Sequence, residues 1–275
     1  MIVALIGANG RVGKTLLSLL QDFKVHALTR SELDIKDRSQ VLEALNLIRP
    51  SFIVNCAAFT NVDKAEVAKE ECFRVNAEFV GWLVDWAETN KANLIHFSSD
   101  YVFNGKSRNP YKESDFCDPI NFYGFSKLAS EKLCLSYEKS LVIRTSYLFS
   151  HNTNNLITTL LEKLRNGDKL KIVKDQVISI TNIFELSSFV VTCMKKCVSG
   201  IFHFANYGEV NLEELVSELG QFLGKKIMYD LVLQEELARP AKRPLYSALD
   251  CSKSYYLFKP MDWKSSLKYT LEKVT

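Results

Sequence analysis

Tyr123 and Lys127 are the two residues of this 275-residue chain whose types and spacing point most directly to chemistry. Residues four apart lie on one face of a helix, so a helix that begins near Asn121 would bring both side chains together. An ammonium group beside a phenol stabilises the phenolate and lowers the pKa of the tyrosine. Such a tyrosine can give a proton to a carbonyl oxygen while hydride reaches the carbonyl carbon.

The position of Tyr123 in the chain separates it from other tyrosines with the same spacing. That spacing recurs in two pairs, Tyr255 with Lys259 and Tyr269 with Lys273. Only Tyr123 follows the fourth predicted strand, which runs into Ser99, and ligands bind at the carboxyl ends of parallel strands. The Ser99 hydroxyl could hold a substrate carbonyl there. The alternative is an ordinary amphipathic helix beside a polar turn. The predicted catalytic residues are Ser99, Tyr123 and Lys127.

Three glycines near residue 10 stand between an apolar run and a helical pattern. The apolar run at residues 2–6 is short and rich in branched side chains, which is typical of a buried parallel strand. From Val12 onwards, apolar residues recur at helical spacing. Strand, glycine turn and helix form the context in which a dinucleotide pyrophosphate binds at a helix N-terminus. The alternative is a turn that only packs the helix closely. The predicted cofactor contacts here are Gly7, Asn9, Gly10, Arg11, Val12 and Gly13.

The second predicted strand, residues 24–29, ends at Arg30. Folds that bind NAD have an acidic residue at this end for the adenosine ribose, whereas a guanidinium suits a 2′-phosphate. Arg30 therefore favours NADPH, with NADH possible; the alternative is a solvated surface arginine. Asp34 and Ile35 would flank the adenine. After the third strand, small residues leave room for a flat ligand, and the predicted contacts are Cys56, Ala57, Ala58 and Thr60.

Strand and helix patterns alternate five times up to about residue 148, with a long helix predicted around residues 72–90. This alternation predicts an α/β fold, a doubly wound Rossmann-type parallel sheet. Beyond that point the pattern loosens. We predict an NAD(P)-binding domain of residues 1–148 together with about 182–206. A smaller carboxyl-terminal substrate-binding lobe would comprise about 149–181 and 207–275.

Composition narrows the classes of partner and compartment. The net charge of +3 is too small and dispersed to indicate nucleic acid or a membrane surface as partner, and no apolar run has the length of a membrane span. The seven cysteines include no CxxC pair, and no His or Cys cluster completes a metal site, so no metal is predicted. Buried thiols and an apolar start interrupted by glycine favour a cytoplasmic protein. The chain would be a monomer or a homodimer.

Five stretches resemble one known family. They are the glycine turn at 7–13, Val-Asn-Cys-Ala-Ala-Phe-Thr-Asn-Val-Asp-Lys-Ala-Glu at 54–66, Ser-Ser-Asp-Tyr-Val-Phe at 98–103, residues 123–132, and Arg-Pro-Leu-Tyr-Ser-Ala-Leu-Asp at 243–250. The chain resembles the dTDP-4-dehydrorhamnose reductases, which are extended short-chain dehydrogenases/reductases, from end to end. The resemblance implies that NADPH or NADH reduces the C4 ketone of dTDP-4-dehydro-L-rhamnose to give dTDP-L-rhamnose, a precursor of cell-surface polysaccharide.

The resemblance also implies roles for individual residues. Tyr123 would be the proton donor, and Lys127 would bind the nicotinamide ribose and tune that tyrosine. Ser99 stands at the family's usual threonine, and Tyr147 falls where the family often has tryptophan beside the sugar. The residues that would lie near the sugar are Asp100, Tyr101 and Tyr147.

Two departures from the family pattern bear on the site. Many members carry Asp-Gln-x-Gly-x-Pro-Thr after the sixth strand, but here Ile178 and Ile180 replace the glycine and the proline. Glycine and isoleucine occupy different backbone space, so a different loop path is predicted. Some members hold magnesium at a dimer interface through a glutamate at the position of Thr15. The metal is therefore not expected here.

Two Arg-Pro pairs lie close together, at Arg239 and Arg243. A proline disfavours helix in the residue before it, so an extended loop with projecting cations is predicted. Guanidinium groups match phosphate oxygens in a bidentate way, and Arg239 or Arg243 would bind the diphosphate of the nucleotide sugar. The alternative is that these cations only solvate a surface loop.

Two other functions remain open at this point. One is a nucleotide-sugar epimerase or dehydratase that retains NAD and returns the hydride. Arg30 and the stretch at 243–250 argue against it. The other is a non-catalytic NADP-binding regulatory subunit, against which the set of Ser99, Tyr123 and Lys127 argues only weakly.

Overall fold

A computed structural model describes residues 1–151, 155–225 and 227–273. Its centre is a six-stranded parallel sheet of β1 (Ile2–Ile6), β2 (Lys24–Leu28), β3 (Phe52–Asn55), β4 (Asn93–Ser99), β5 (Ser140–Thr145) and β10 (Gly200–His203). Across the sheet these strands lie in the order β10-β5-β4-β3-β1-β2. The observed sheet confirms the predicted doubly wound fold.

Helices cover both faces of this sheet. Those that follow its strands are α1 (Arg11–Leu19), α2 (Arg38–Ile48), α3 (Val62–Val67), α4 (Lys69–Phe73), α5 (Phe79–Asn90) and α6 (Phe122–Leu135), and α8 (Ile183–Lys195) precedes β10. Helices α1 and α8 pack on one face, while α2, α5 and the end of α6 pack on the other. Both faces are buried, which is the environment that apolar parallel strands require.

Alternate residues of β1 show how the sequence supplies two cores. Val3 and Leu5 belong to the cluster beneath α1 and α8, whereas Ala4 and Ile6 belong to the cluster beneath α2 and α5. Side chains of a strand alternate between the two faces of a sheet, so an uninterrupted apolar run serves both. The short apolar run of residues 2–6 is thus a central strand, as predicted.

The glycine turn joins β1 to α1 at close range. Gly7 has φ of 77°, which is the left-handed region. A Cβ on Gly13 would lie 2.3 Å from the carbonyl oxygen of Gly7 and 2.8 Å from Cα of Ala8. Gly13 therefore allows the helix to pack directly against the turn, as the sequence predicts.

The predicted long helix around residues 72–90 is present, but it contains a π-helical turn that the sequence did not predict. Between α4 and α5 the chain forms a π-helical turn, Arg74–Glu78, which contains the buried Asn76. Asn76 accepts a hydrogen bond from the backbone N–H of Phe59 at 2.8 Å and donates to Ser126 on α6 at 2.9 Å. A π-turn frequently marks a functional region. Through these two hydrogen bonds, Asn76 links the chain after β3 to α6, the helix that carries Tyr123.

The remaining elements build a third hydrophobic cluster around small sheets. The strands are β6 (Leu148–Phe149), β7 (Leu170–Val173), β8 (Val177–Ile178), β9 (Thr181–Asn182), β11 (Val210–Asn211) and β12 (Tyr229–Val232). The helices are α7 (Leu156–Asn166), α9 (Leu212–Leu223), α10 (Ser252–Tyr255) and α11 (Trp263–Leu271). Pairs β6–β9, β7–β12 and β8–β11 surround a core made largely by α7, α9 and α11. The division into a cofactor domain and a substrate lobe stays a prediction.

No helix within residues 1–151, 155–225 and 227–273 is long and apolar enough to cross a membrane.

Candidate active site

Two adjacent cavities lie at the carboxyl ends of the sheet strands. The larger, about 630 Å³, lies over the glycine turn and the ends of β2 and β3. The smaller, about 290 Å³, lies between the ends of β4 and β5 and the start of α6. Residues common to both linings are Arg11, Val12, Cys56, Ala58, Thr60 and Leu148. The arrangement suits an elongated ligand that extends from one cavity into the other.

The structure brings the predicted cofactor residues together in the larger cavity. Of the predicted set, its lining contains Gly7, Asn9, Gly10, Arg11, Val12, Arg30, Asp34, Ile35, Cys56, Ala57, Ala58 and Thr60. Gly13 lies beneath the turn instead, and Tyr123 and Lys127 line the smaller cavity. Gly10 is the N-cap of α1, and no side chain caps the N-terminus of this helix. Its first N–H groups and its dipole are therefore available to a pyrophosphate.

Lys36 lies at the cationic end of the larger cavity and was not among the predicted cofactor contacts. Arg30 is exposed there, at the end of β2, and Lys36 lines the same cavity. Glu32 is nearby in sequence, but its carboxylate accepts hydrogen bonds from the backbone and the hydroxyl of Thr29 at 2.8 and 2.7 Å. This carboxylate caps the turn after β2. The residues present thus fit a dinucleotide, and two cations fit its 2′-phosphate.

The start of α6 places Tyr123 in the smaller cavity. Asn121 caps the helix by accepting from the N–H of Gly124 at 2.8 Å, and Glu66 accepts from the N–H of Phe122 at 2.8 Å. Tyr123 then faces the ring of Tyr101, with 6.0 Å between the ring centroids. The predicted helix with Tyr123 near its beginning is confirmed.

The expected electrostatic effect of Lys127 on Tyr123 is wrong for this state of the protein. Burial, followed by the charge of Asp100, raises the pKa of Tyr123 to about 12. The amino group of Lys127 lies 3.2 Å from Nε2 of His96. Burial lowers the pKa of Lys127 to about 8, so its positive charge is itself disfavoured. Tyr123 is therefore held as a protonated phenol.

Ser99 and Asp100 form a buried polar pair at the end of β4. The Ser99 hydroxyl donates to Asp100 Oδ1 at 2.9 Å, and the Ser146 hydroxyl donates to Oδ2 at 2.9 Å. Burial raises the pKa of Asp100 to about 6, although these hydrogen bonds oppose the shift. The N–H of Tyr101 donates to Ser99 Oγ at 3.2 Å. Ser99 is thus fixed on both sides at the cavity wall.

Two tyrosine hydroxyls meet in the lining of the smaller cavity. Tyr101 and Tyr147 have their hydroxyl oxygens 3.2 Å apart, and Gln176 Nε2 donates to the Tyr147 hydroxyl at 3.3 Å. Tyr147 has φ of 25°, an unusual conformation for a bulky residue that costs about 1–3 kcal/mol. Such strain clusters at functional sites. Gln176, which the sequence indicated only as part of a motif, is buried and therefore supports Tyr147 from outside the cavity lining.

The loop in which isoleucines replace the family's glycine and proline packs into the third hydrophobic cluster, beneath α7, α9 and α11. Ile178 lies in β8, and both Ile178 and Ile180 are buried. Neither has a positive φ. Their buried side chains therefore hold the loop against this hydrophobic cluster. In the same loop, Gln176 donates a hydrogen bond to the carbonyl of Pro244 at 3.3 Å.

The Arg-Pro segment adopts the predicted extended form, but its two arginines differ. Arg243 donates two hydrogen bonds to the carboxylate of Asp63, Nη2 to Oδ2 being 2.7 Å. This bond lowers the pKa of Asp63 to about 2. Arg239 is exposed. The prediction of two projecting guanidiniums is therefore wrong for Arg243, because an acidic partner on α3 already holds it.

Within the described ranges, no group of three or more His, Cys, Asp or Glu side chains is arranged to hold a metal ion. The Thr15 hydroxyl donates to the carbonyl of Arg11 inside α1, at 3.3 Å.

A family model described as the RmlD substrate binding domain matches residues 1–275. The chain belongs to this family. A dTDP-4-dehydrorhamnose reductase from Aggregatibacter actinomycetemcomitans is 32% identical over 280 residues, covering 95% of each chain. The predicted family is thus confirmed, as is the enzyme class of NAD(P)H-dependent oxidoreductases that resemble dTDP-4-dehydrorhamnose reductases.

Two solved structures of this RmlD family are also similar over the whole chain. A dTDP-4-dehydrorhamnose reductase from Clostridium acetobutylicum is 29% identical with a TM-score of 0.95, covering 100% of this chain and 99% of that one. A dTDP-4-dehydrorhamnose reductase from Bacillus anthracis, in complex with NADP, is 28% identical with a TM-score of 0.94, covering 99% of both. The cofactor named for the latter agrees with the predicted NADP(H).

Proposed function

We propose that this protein reduces the C4 ketone of a dTDP-4-keto-6-deoxy sugar with hydride from NADPH. The expected reaction converts dTDP-4-dehydro-L-rhamnose to dTDP-L-rhamnose. The observation that carries the proposal is the cavity lined by Ser99, Asp100 and Tyr123, which shares part of its lining with the dinucleotide cavity. The names of the relatives supply the substrate class.

The chain's own residues account for cofactor binding. The N-terminus of α1 would hold the pyrophosphate, while Arg30 and Lys36 would bind the 2′-phosphate. Asp34 and Ile35 would flank the adenine, and Lys127 would bind the nicotinamide ribose. When bound, NADPH supplies the hydride. NADH would also fit, with the loss of the contacts to the phosphate.

Tyr123 would act as the proton donor. Its raised pKa keeps the phenol protonated at neutral pH, which is the form that a donor requires. Ser99 would exchange its hydrogen bond to Asp100 for one to the substrate carbonyl oxygen. The carbonyl would then lie between a serine hydroxyl and a tyrosine hydroxyl, so that negative charge developing on its oxygen is stabilised and then protonated.

The sugar would occupy the wall formed by the tyrosine pair. Asp100, Tyr101 and Tyr147 present a carboxylate and two hydroxyls, and Gln176 fixes the orientation of Tyr147. Arg239, exposed at the start of the Arg-Pro segment, would bind the diphosphate. Arg243 would also bind the diphosphate only if it gave up at least one of its two hydrogen bonds to Asp63.

The test is the consumption of NADPH by the purified protein with a small panel of dTDP-4-keto-6-deoxy sugars. A reductase oxidises one NADPH for each ketone reduced. An epimerase or dehydratase that retains NAD gives no net oxidation of NADPH, and a regulatory subunit binds NADPH without turnover. The panel also shows which sugar is preferred.

A further inference from the structure

A chain of buried polar side chains connects the end of β3 to Lys127. It runs through Asn55 on β3, His96 on β4, and Ser130 and Lys127 on α6. All four side chains are almost completely buried. Buried polar groups require hydrogen-bond partners, so each donor and acceptor in this chain can be assigned.

The orientation of Asn55 fixes the first assignment. The backbone N–H of Ala57 donates to Asn55 Oδ1 at 3.0 Å. The other end of this amide, the NH₂ group, therefore faces Nδ1 of His96 at 3.2 Å. An amide nitrogen has only hydrogens to offer, so Nδ1 of His96 must accept.

Ser130 requires the same tautomer of His96 from the other side of the ring. The Ser130 hydroxyl donates its hydrogen to the carbonyl of Lys127 at 2.7 Å. Its oxygen lies 2.9 Å from Nε2 of His96 and is left to accept. Burial keeps the pKa of His96 well below its ordinary value, so the ring is neutral. His96 therefore carries its single hydrogen on Nε2.

With its hydrogen on Nε2, His96 cannot accept a hydrogen bond from a charged lysine at that nitrogen. The amino group of Lys127 lies 3.2 Å from Nε2 of His96, which bears the hydrogen. An ammonium group offers only donors, whereas an uncharged amine has a lone pair that can accept from N–H. The single hydrogen on Nε2 is shared between the oxygen of Ser130 and the nitrogen of Lys127, and this geometry favours the uncharged amine over the ammonium form.

The other groups around Lys127 do not supply a free negative charge. Glu131, one turn further along α6, is bound by Arg144 at 2.7 Å. Cys72 on α4 and Cys134 on α6 have thiol pKa values raised by burial, so both remain neutral. Within the part of the chain that the structure describes, no carboxylate forms an ion pair with Lys127.

We propose that His96 is a positioning residue that disfavours the ammonium form of Lys127 before the cofactor binds, and that at mildly alkaline pH Lys127 takes up a fraction of a proton from solvent when it turns to the ribose of NADPH. The inference rests on the proposed cofactor role of Lys127. The ribose hydroxyls accept from the ammonium group, and the phosphates of NADPH add negative charge nearby. Binding of NADPH is thereby linked to a proton.

The first test is isothermal titration calorimetry of NADPH binding in two buffers with different ionisation enthalpies. The difference between the observed enthalpies gives the number of protons taken up. Because the pKa of Lys127 is about 8 before binding, the expected uptake is about half a proton at about pH 8. It should fall close to zero at about pH 6.5, where Lys127 is already charged. Binding without proton uptake at about pH 8 would overturn the proposal.

A matched pair of variants separates the two sides of the His96 ring. The amide of His96→Gln can place an N–H near the Nε2 position, facing Ser130 and Lys127. The shorter amide of His96→Asn can replace only the contact to Asn55. The proposal predicts that the glutamine variant keeps the proton uptake at about pH 8 and that the asparagine variant loses more than half of it. Equal uptake in both variants and the wild type would contradict it.

Nuclear magnetic resonance of the cofactor-free wild type decides the tautomer without any variant. The chain has only four histidines, so long-range proton–nitrogen correlations of the rings can be assigned. Hydrogen on Nε2 of His96 is the expected result, and hydrogen on Nδ1 would overturn the proposal. Failure of NADPH to bind would instead contradict the proposed function, while the ring tautomer would still test the contact between His96 and Lys127.

Discussion

Asp63 on α3 and Arg243 in the carboxyl-terminal part of the chain form a bidentate ion pair beside the candidate active site. The N–H of Ala241 also donates to Asp63, at 3.1 Å, and Asn121 donates to the carbonyl of Lys242 at 2.8 Å. The Arg-Pro segment is thus fastened both to α3 and to the residue that caps α6. These hydrogen bonds connect the segment that contains the proposed diphosphate site to α6, the helix that carries Tyr123.

The two arginines of this segment should respond differently to substitution. Arg239→Ala is expected to raise the KM for the sugar nucleotide about tenfold or more, since a guanidinium–phosphate contact contributes about 1.5–3 kcal/mol. Its thermal stability should match the wild type because Arg239 is exposed. Arg243→Ala should also lower the melting temperature, because Asp63 loses its partner.

Steady-state kinetics and thermal unfolding of both variants check this prediction. Lys242→Ala is the control, an exposed cation of the same segment, and is expected to have a smaller effect on KM. Wild-type KM values in both arginine variants would place the diphosphate elsewhere.

Removing the phenol oxygen of Tyr123 should separate binding from turnover. Tyr123→Phe is expected to lower kcat about 10²-fold or more, because general acid catalysis contributes about 10²–10⁴-fold. Its dissociation constant for NADPH should stay close to that of the wild type. Tyr255→Phe and Tyr269→Phe are the controls, since neither tyrosine lines the smaller cavity. A kcat within about threefold of the wild type would exclude Tyr123 as the donor.

The preference for NADPH over NADH should depend on Arg30. Arg30→Ala is expected to reduce the ratio of the two affinities about ten- to a hundredfold through loss of the phosphate contact. Direct binding measurements of both cofactors check this. Arg165→Ala, an exposed arginine on α7, serves as a control. An unchanged ratio would mean that Arg30 does not contact the 2′-phosphate, and Lys36→Ala would then be the next variant to measure.

Gly124 and Gly81 form a matched test of how closely α6 approaches the site. A Cβ on Gly124 would lie 2.0 Å from the carbonyl oxygen of Tyr101, so Gly124→Ala should displace the start of α6 and lower both stability and turnover. A Cβ on Gly81 in α5 would meet only Leu133, at an ordinary 3.6 Å. Gly81→Ala should therefore be neutral or stabilise by about 0.5–1 kcal/mol. Urea unfolding of both variants measures the difference.

The buried carboxyl of Asp100 should make its own contribution to stability dependent on pH. Its pKa is about 6 in the folded chain and 3.8 ordinarily, so the folded state binds this proton more tightly. The resulting stabilisation is complete below about pH 3.8 and is lost as pH rises through about 6. Between about pH 5 and 7 the wild type should lose about 1 kcal/mol more than Asp100→Asn. Parallel unfolding curves over this range would show that Asp100 titrates normally.

The sequence predicted those features that local patterns determine. The apolar run at 2–6, the glycines that follow it, and Tyr123 near the start of a helix all recur in the structure as expected. Each depends on neighbouring residues or on a periodicity, and so does the order of alternating strands and helices. The edge of the sheet at which they meet follows from the parallel arrangement.

The missed features depend on contacts between distant residues. Asp63 meets Arg243 across 180 positions, and the contact of His96 with Lys127 spans 31 positions and two elements. The π-turn around Asn76 interrupts an otherwise regular helical pattern, and no local signal in the sequence marks it. The pKa values of Tyr123 and Lys127 also depend on burial, which the four-residue spacing does not reveal.

The most direct test of the proposed function is the stoichiometric oxidation of NADPH by the wild-type protein with dTDP-4-dehydro-L-rhamnose, followed through the absorbance of the reduced nicotinamide. The proposal predicts one NADPH oxidised for each dTDP-L-rhamnose formed, with almost no turnover by Tyr123→Phe under the same conditions. Binding of NADPH without oxidation, for this sugar and for the rest of the panel, would contradict it.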